Sequence, residues 1–171
     1  MAILSWEAFA AGLPARGRLL GLDFGEKTIG LAISDRDRRI ASPLETIRRR
    51  KFTADAAELD AICRDRAVTG LVLGLPVNMD GSEGRRCQAT RQFARNLVTL
   101  AGVDSPLTFW DERLSTAAVE RVLIDEADMS RRRRGEVVDK MAAGYILQGA
   151  LDALPGPEPG SGSDPEDGVS V

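Results

Sequence analysis

The chain of 171 residues contains no histidine and only two cysteines, and this scarcity limits the chemistry open to it. Without histidine there are no Ser-His or Cys-His catalytic pairs and no histidine ligands for a metal. Cys63 and Cys87 lack the spacing of a metal site, so we interpret them as inert thiols of a reducing compartment. Catalysis would have to use carboxylates, lysine, tyrosine, hydroxyl groups or a metal held by oxygen atoms, which favours Mg²⁺ or Mn²⁺.

Long apolar stretches are also missing from the sequence. None reaches the roughly 20 residues that a membrane-spanning helix needs. The N-terminal residues lack the basic start and apolar core that are typical of a secretory signal. We therefore expect a cytoplasmic protein with no membrane partner.

Positive charge is clustered although the formal net charge is −3. The tail at residues 155–171 holds four acids and no basic residue, so the rest of the chain has 23 basic and 22 acidic residues and a net charge of +1. Two basic clusters stand out, one at residues 48–51 and the other formed by Arg131, Arg132, Arg133 and Arg134. Such clusters favour a polyanionic partner, although a single cluster would be read as solvated loop charge.

The hydrophobic pattern predicts a mixed α/β domain. Apolar runs predict strands at 18–24, 28–35, 38–43, 69–75 and 106–110. Helical spacing predicts helices over 53–66, from Ser82, over 115–127 and over 135–153. Three strands with short turns and two helix-separated strands describe a five-stranded sheet, three strands antiparallel and two parallel, covered by helices.

The ends of the chain differ from this domain. Residues 1–17 form an N-terminal extension in which Trp6, Phe9 and Leu13 have the spacing of a short helix. The domain itself is predicted to span residues 18–154. The tail at 155–171 is rich in Pro, Gly, Ser and acids, which predicts disorder.

Asp23 is the most informative residue because it closes an apolar run that predicts a buried strand. Burying a carboxylate without a partner is costly. We expect Asp23 to lie at the strand's carboxyl end and to face a metal, a cation or a phosphate-bearing ligand, although an Asp that caps a hairpin turn is the simpler alternative. Gly25 and Gly30 leave room there for a close approach by backbone or ligand.

A second acidic motif, Asp111-Glu112, follows the last predicted strand. Ligands of open α/β sheets bind at the carboxyl ends of parallel strands, and this strand is expected to run parallel to the one that carries Asp23. Because neighbouring side chains point to opposite faces, either acid can enter the site, and the other can pair with Arg113.

The third acid is Asp139, which shares one helical face with Ala142, Ala143 and Ile146. Three carboxylates at one sheet edge repel each other unless a cation offsets their charge. Two Mg²⁺ ions roughly 3.5–4 Å apart, clamping the attacking water and the leaving oxygen of a phosphodiester, would supply that cation. This arrangement indicates metal-assisted hydrolysis, which needs no histidine.

These acids stand in four motifs that occur in order over about residues 18–152. The motifs are Leu22-Asp23-Phe24-Gly25 with Gly30-Leu31-Ala32-Ile33-Ser34-Asp35, Gly74-Leu75-Pro76-Val77-Asn78-Met79-Asp80-Gly81, Asp111-Glu112-Arg113-Leu114-Ser115-Thr116 and Asp139-Lys140-Met141-Ala142-Ala143. On them the chain resembles the YqgF family, the Holliday-junction-resolvase-like pre-16S rRNA nucleases of bacteria.

The resemblance implies an RNase H-like fold in which Asp23, Glu112 and Asp139 are the metal-binding catalytic acids. Glu112 is preferred to Asp111 because the acid directly before Arg-Leu-Ser-Thr matches related resolvases. The implied activity is endonucleolytic processing of the 5′ end of pre-16S rRNA, in contact with ribosomal precursor particles. Holliday-junction cleavage is an older suggestion for the family, with branched DNA as its substrate. Resolving a four-way junction would need a two-fold homodimer.

Several basic and polar residues near these motifs are candidates for substrate binding. Lys27 and Arg113 can neutralise phosphates, or they are surface charges. Asn78 and the following helix start can hold a phosphate, or they form an ordinary Asx turn. Residues 131–134 precede the Asp139 helix and are predicted to lie on the substrate.

Two further classes of protein remain open at this point. The segment from Asp23 to Gly30 resembles the phosphate loop of actin-like ATPases, although the chain is too short for the second domain that encloses their nucleotide. A non-catalytic RNA-binding module is the other, because motifs do not report metal affinity.

Overall fold

The computed structural model describes residues 2–115 and 131–156. Within these residues the strands are β1 (Ile3–Leu4), β2 (Arg18–Phe24), β3 (Thr28–Ser34), β4 (Ala41–Arg48), β5 (Val68–Leu75) and β6 (Leu107–Asp111). The α-helices in the same residues are α1 (Trp6–Gly12), α2 (Phe52–Asp65), α3 (Arg85–Asn96) and α4 (Arg131–Asp152). None of the described helices is long and apolar enough to cross a membrane.

The described strands form one mixed sheet in the order β1-β6-β5-β2-β3-β4. β2, β3 and β4 are antiparallel neighbours, whereas β5 is parallel to β2 and to β6. The predicted mixed sheet is therefore confirmed, but it has six strands rather than five. The additional strand is β1, which pairs Ile3 with Leu107 and Leu4 with Thr108, and two residues are too few to produce an alternating pattern.

The third strand begins later than the sequence indicated, at Ala41 instead of residue 38. The Asp35 carboxylate accepts hydrogen bonds from the backbone N–H groups of Arg39 at 2.8 Å and Ile40 at 3.0 Å. Arg38 has a φ of 56°, a left-handed conformation that a strand does not contain. The β3–β4 turn thus extends over residues that the apolar pattern assigned to the strand.

The sheet has a buried cluster on each face, and the alternation of β2 shows which residues belong to which. Leu20 and Leu22 pack with α2 and α3 side chains such as Leu59 and Phe93. Leu19 belongs to the opposite cluster, with α4 residues such as Ile146. Helices thus cover both faces of the central strands, which is why β2 and β5 are almost continuously apolar.

The predicted helix over 53–66 is confirmed as α2, with Lys51 as its N-cap, and the carboxylate of Asp55 accepts from the N–H of Arg50 at 3.0 Å. Two other predicted helix starts are wrong. α4 begins at Arg131, not at residue 135. α3 begins at Arg85, not at Ser82, because Ser82 is part of a hydrogen-bonded loop. The helix predicted over 115–127 and most of the predicted tail fall outside the described residues.

The N-terminal residues are packed on the domain. The predicted short helix is confirmed as α1, which Ser5 caps by accepting from the N–H of Ala8 at 3.2 Å. Phe9 is 1% exposed, and its ring fills the space over Gly70, where a Cβ would lie 2.7 Å from it. The domain boundaries near residues 17 and 154 stay a prediction.

Candidate active site at the carboxyl ends of β2, β5 and β6

Asp23 lies at the carboxyl end of β2 and is only 3% exposed. It shares a sheet face with Gly21, two residues earlier. A Cβ on Gly21 would lie 2.7 Å from the Cβ of Leu147 and 3.1 Å from the carbonyl oxygen of Ala143, so that face is covered by α4. The Asp23 side chain is therefore on the α4 side of the sheet, at its edge.

Register places Gly74 of β5 next to Asp23, because Leu73 pairs with Leu22 one residue earlier on the parallel strands. A Cβ on Gly74 would lie 3.1 Å from Oε1 of Glu112. Glu112 follows β6 directly, as the first residue of a 3-10 turn. Its carboxylate thus occupies the space that the glycine leaves beside Asp23.

Asp111 is directed elsewhere. Trp110 packs with the cluster under α4, so the alternation of β6 turns Asp111 to the other face. The guanidinium of Arg113 donates to it from Nη2 to Oδ2 at 2.7 Å and from Nε to both carboxylate oxygens at 3.1 Å. Hydrogen bonding from Arg113 lowers the pKa of the Asp111 carboxyl below its usual value. The geometry thus distinguishes two neighbouring acids that the strand pattern left equivalent.

Asp139 comes to the same corner from α4. Its backbone carbonyl lies against Gly30, where a Cβ would collide with it, and Gly30 is the cross-strand partner of Asp23. Its carboxylate accepts a hydrogen bond from the hydroxyl of Thr28, at the start of β3. Thr28 was not among the predicted site residues, although it lies between the two segments of the first motif.

The three acids share one corner of the domain but do not form a compact ligand cluster. In the described ranges, no group of three acidic or cysteine side chains is close enough to hold a metal ion as it stands. A shared ion would therefore need side-chain rotations at this corner. The donor set fits a hard divalent cation, since it consists of carboxylate oxygens, and the glycine at position 74 lets the Glu112 carboxylate approach β5 beside Asp23.

The loop between β5 and α3 forms one wall of the corner. Asp80 accepts from the N–H of Ser82 at 2.9 Å and from its hydroxyl at 2.5 Å, which is an Asx turn and lowers the pKa of Asp80. The exposed Asn78 donates from its amide to the Ser82 hydroxyl at 3.1 Å. Asn78 is thus part of a loop that holds its own shape.

A cleft of about 370 Å³ lies between this loop, the start of α3 and Glu112. Its lining residues are Pro76, Val77, Asn78, Met79, Gly84, Arg85, Arg86 and Glu112. The sequence analysis did not single out Arg85 and Arg86, which are only two adjacent basic residues. The available signal was their place near the start of the helix predicted from Ser82, a few residues after the Gly74–Gly81 motif.

The predicted basic residues differ in their surroundings. Lys27 is exposed in the β2–β3 turn, and Arg113 is bound to Asp111. In the cluster at 48–51, Arg49 lies over the Phe24 ring at 4.2 Å and Arg50 pairs with Glu58 at 3.2 Å. These two arginines therefore serve the fold.

The second predicted basic cluster opens α4, whose first residue is Arg131. The side chains of Arg131, Arg132, Arg133 and Arg134 lie outside the described part of the structure. Their assignment to the substrate stays a prediction.

Comparison with known proteins agrees with this fold and these motifs. The family model described as "RuvX: Holliday junction resolvase" matches residues 17–153. A Rhodospirillum rubrum protein named "Putative pre-16S rRNA nuclease" is 62% identical over 154 residues, covering 90% of this chain and 94% of its own length. A protein of the same name from Paracoccus denitrificans is 64% identical over 148 residues, covering 86% and 92%.

One solved structure shares the fold at low sequence identity. It is T. thermophilus RuvC in complex with Holliday junction substrate, which is 12% identical with a TM-score of 0.51 and covers 80% of this chain and 94% of that one. The architecture is accordingly RuvC-like and of the RNase H type. With a family model over most of its length and relatives above 60% identity, the chain belongs to the RuvX family, which is the YqgF family that its motifs indicated.

Proposed function

We propose that the chain is a Mg²⁺- or Mn²⁺-dependent endonuclease that hydrolyses a phosphodiester bond at the 5′ end of pre-16S rRNA during ribosome biogenesis. The observation that carries the proposal is the buried Asp23 at the carboxyl end of the central strand, with Glu112 and Asp139 at the same corner. The name shared by the similar proteins supports the choice of substrate.

Asp23, Glu112 and Asp139 would hold the metal through carboxylate oxygens. Bound there, the metal would activate water and offset charge on the phosphate oxygens. The chain's own contribution is positional. Thr28 holds the Asp139 carboxylate by a hydrogen bond, and Gly30 lets the backbone of α4 reach the sheet next to Asp23.

Cations around the corner would bind the substrate backbone. Lys27 and residues Arg131, Arg132, Arg133 and Arg134 are assigned to neighbouring phosphates, and Asn78 to a polar contact at the loop. Arg113 would act as a pair with Asp111, whose carboxylate already neutralises it. The protein would work in the cytoplasm on ribosomal precursor particles.

Holliday-junction resolution is the second candidate function, because the matching family model carries that description. Four-way junctions have two-fold symmetry, so this activity would require a homodimer that presents two sites. Binding of RNA without cleavage and ATP hydrolysis are weaker candidates. The first would leave the bound RNA uncut, and the second would release phosphate from ATP.

The decisive experiment compares Asp23→Asn, Glu112→Gln and Asp139→Asn with the matched control Asp111→Asn. Each of the first three should reduce cleavage of labelled pre-16S RNA at least about 100-fold, the scale of losing one electrostatic group at a reacting centre. RNA binding should be retained. Asp111→Asn should stay within a few-fold of the parent, because its carboxylate faces away and pairs with Arg113.

The assay is run with and without divalent metal, on pre-rRNA and on a four-way DNA junction. Cleavage of the junction alone would replace the proposal by the resolvase function. Full activity of all three variants, or no metal-dependent cleavage of either substrate by the parent chain, would refute a nuclease site at this corner.

A further inference from the structure

The cleft beside Glu112 contains two cations that the fold of the protein does not use. Arg85 and Arg86 are exposed and line the cleft. Over the described residues, neither guanidinium forms an ion pair. Arg91 on the same helix is different, since it pairs with Glu83 at 2.5 Å and lies 5.0 Å from the centre of the Phe109 ring.

Arg85 and Arg86 do not stabilise the helix that they begin. Arg85 and Arg86 are the first two residues of α3, and the first turn contains no acid. Cations at this end of a helix oppose its dipole and destabilise it. The N-cap, Gly84, has no side chain to offset the loss. A local rule broken without compensation in the fold is characteristic of a functional position.

The opposite wall of the cleft is held by hydrogen bonds within the loop between β5 and α3. The N–H of Asn78 donates to the carbonyl of Ser82 at 2.9 Å, and the N–H of Gly81 donates to the carbonyl of Asn78 at 2.8 Å. Met79 stands on the rim and is 89% exposed. A soft, unbranched apolar side chain there can pack against a sugar or a base.

We propose that Arg85 and Arg86 bind backbone phosphates of the unpaired strand that is cut, so that this strand leaves the catalytic corner along the α3 side. The inference rests on the proposed nuclease function and adds the path of its substrate. Guanidinium groups bind phosphate oxygens through paired N–H donors. The cleft of about 370 Å³ has room for a short segment of one strand, and the exposed Met79 on its rim is placed to contact an unpaired base.

The test uses Arg85→Gln, Arg86→Gln and the double variant, with Arg95→Gln as control. Arg95 lies in the last turn of the same helix, where its guanidinium donates to Oε1 of Gln92 at 2.9 Å, so the change in charge is matched at a position away from the cleft. Removing cations from the start of α3 relieves its dipole, so the variants should fold. Binding is measured from 0.05 to 0.5 M salt in an Asp23→Asn background, by fluorescence anisotropy of a labelled single-stranded RNA that spans the mature 5′ end.

Each phosphate contact to a single strand contributes about 0.7 to the slope of log K against log salt. The double variant should therefore lose roughly 1.4 from the slope and bind roughly 25-fold more weakly at 0.1 M salt. Arg95→Gln should bind within about two-fold of the parent. In the cleaving enzyme, KM should rise while kcat changes little, because the lost contact is made equally in the ground and transition states.

Equal affinity and slope for the double variant and Arg95→Gln would overturn the inference while cleavage by the parent keeps the nuclease function intact. An equal loss on a fully duplex probe would also overturn it, because the phosphates would then not belong to an unpaired strand. If the parent neither binds nor cuts the RNA, the proposed function fails first, and the two failures are distinguished by this control.

Discussion

Single side chains set the shape of the turn that follows Asp23. Arg49 donates from Nη1 to the carbonyls of Gly25 at 2.7 Å and Glu26 at 2.9 Å. Its guanidinium lies over the Phe24 ring, and its N–H donates to the carbonyl of Lys27 at 2.9 Å. One residue directly after β4 thus fixes both sides of the turn between β2 and β3.

Arg49→Lys should therefore weaken this turn, because an ammonium group lacks the planar fork and stacks less well on an aromatic ring. We expect a loss of about 1 kcal/mol in the free energy of unfolding and a several-fold loss of RNA cleavage. Urea unfolding and initial cleavage rates measure the two effects. Arg64→Lys is the control, since its pair with Asp60 is on the surface and worth little; equal effects of both changes would refute the positioning role.

At the residue scale, sequence reasoning found the acids but not their supports. Asp23 was recognisable because a carboxylate at the end of an apolar run is costly to bury. Arg49 looked like one charge in a cluster, and its stacking on Phe24 depends on which strands become neighbours. Thr28 was invisible for the same reason: its partner Asp139 is 111 residues away in the chain. The roles of the acids stay proposals that the variants above will test.

At the scale of elements, α4 approaches β3 closely at Gly30. A Cβ on Gly30 would collide with the backbone carbonyl of Asp139 and lie 2.9 Å from the N–H nitrogen of Lys140. Backbone cannot rotate out of the way as a side chain can. The contact between strand and helix at the candidate site thus requires glycine at this position.

Gly30→Ala should push the start of α4 away from the sheet, with a loss of about 1–3 kcal/mol in stability from overpacking and a larger relative loss of cleavage. Gly144→Ala tests the same helix where space exists, since its Cβ would meet Pro43 at an ordinary 3.8 Å. That change should stabilise the protein by about 0.5–1 kcal/mol through helix propensity. Thermal unfolding of both variants measures the contrast, and a Gly30→Ala protein as stable and active as the parent would contradict it.

Boundaries of elements were the part of the fold that the sequence predicted least well. Ser82 looked like a helix cap because of its residue type, but its hydrogen bonds to Asp80 commit it to the loop. Apolar Ile40 suggested an earlier strand, yet it is 65% exposed in a turn held by Asp35. In both places local side-chain hydrogen bonds to the backbone determine where the element begins, and the hydrophobic periodicity of the sequence does not predict such bonds.

At the scale of the whole molecule, the order of the apolar runs predicted the fold class. The sequence did not predict that the N-terminal residues add a strand to the sheet. The family match begins at residue 17, but Phe9 is buried against Gly70 and Leu19. The segment before the matched region is therefore part of the core. Its two-residue strand could be found only from the pairing itself.

Phe9→Ala should cost about 3–5 kcal/mol of unfolding free energy, the usual range for truncating a buried aromatic residue. Leu100→Ala is the control, because Leu100 is 71% exposed and should change stability by less than about 0.5 kcal/mol. Denaturant titration of the two variants gives the comparison. A small loss for Phe9→Ala would mean that the N-terminal helix is dispensable to the fold.

The pairing of Ile3 with Leu107 also determines the order in which the strands can pair while the chain is being synthesised. The β2–β4 meander needs only residues 18–48 and can pair as soon as they have emerged. The opening strand has to wait for a partner more than 100 positions later. The first piece of the sheet to be translated is thus among the last to find its neighbour.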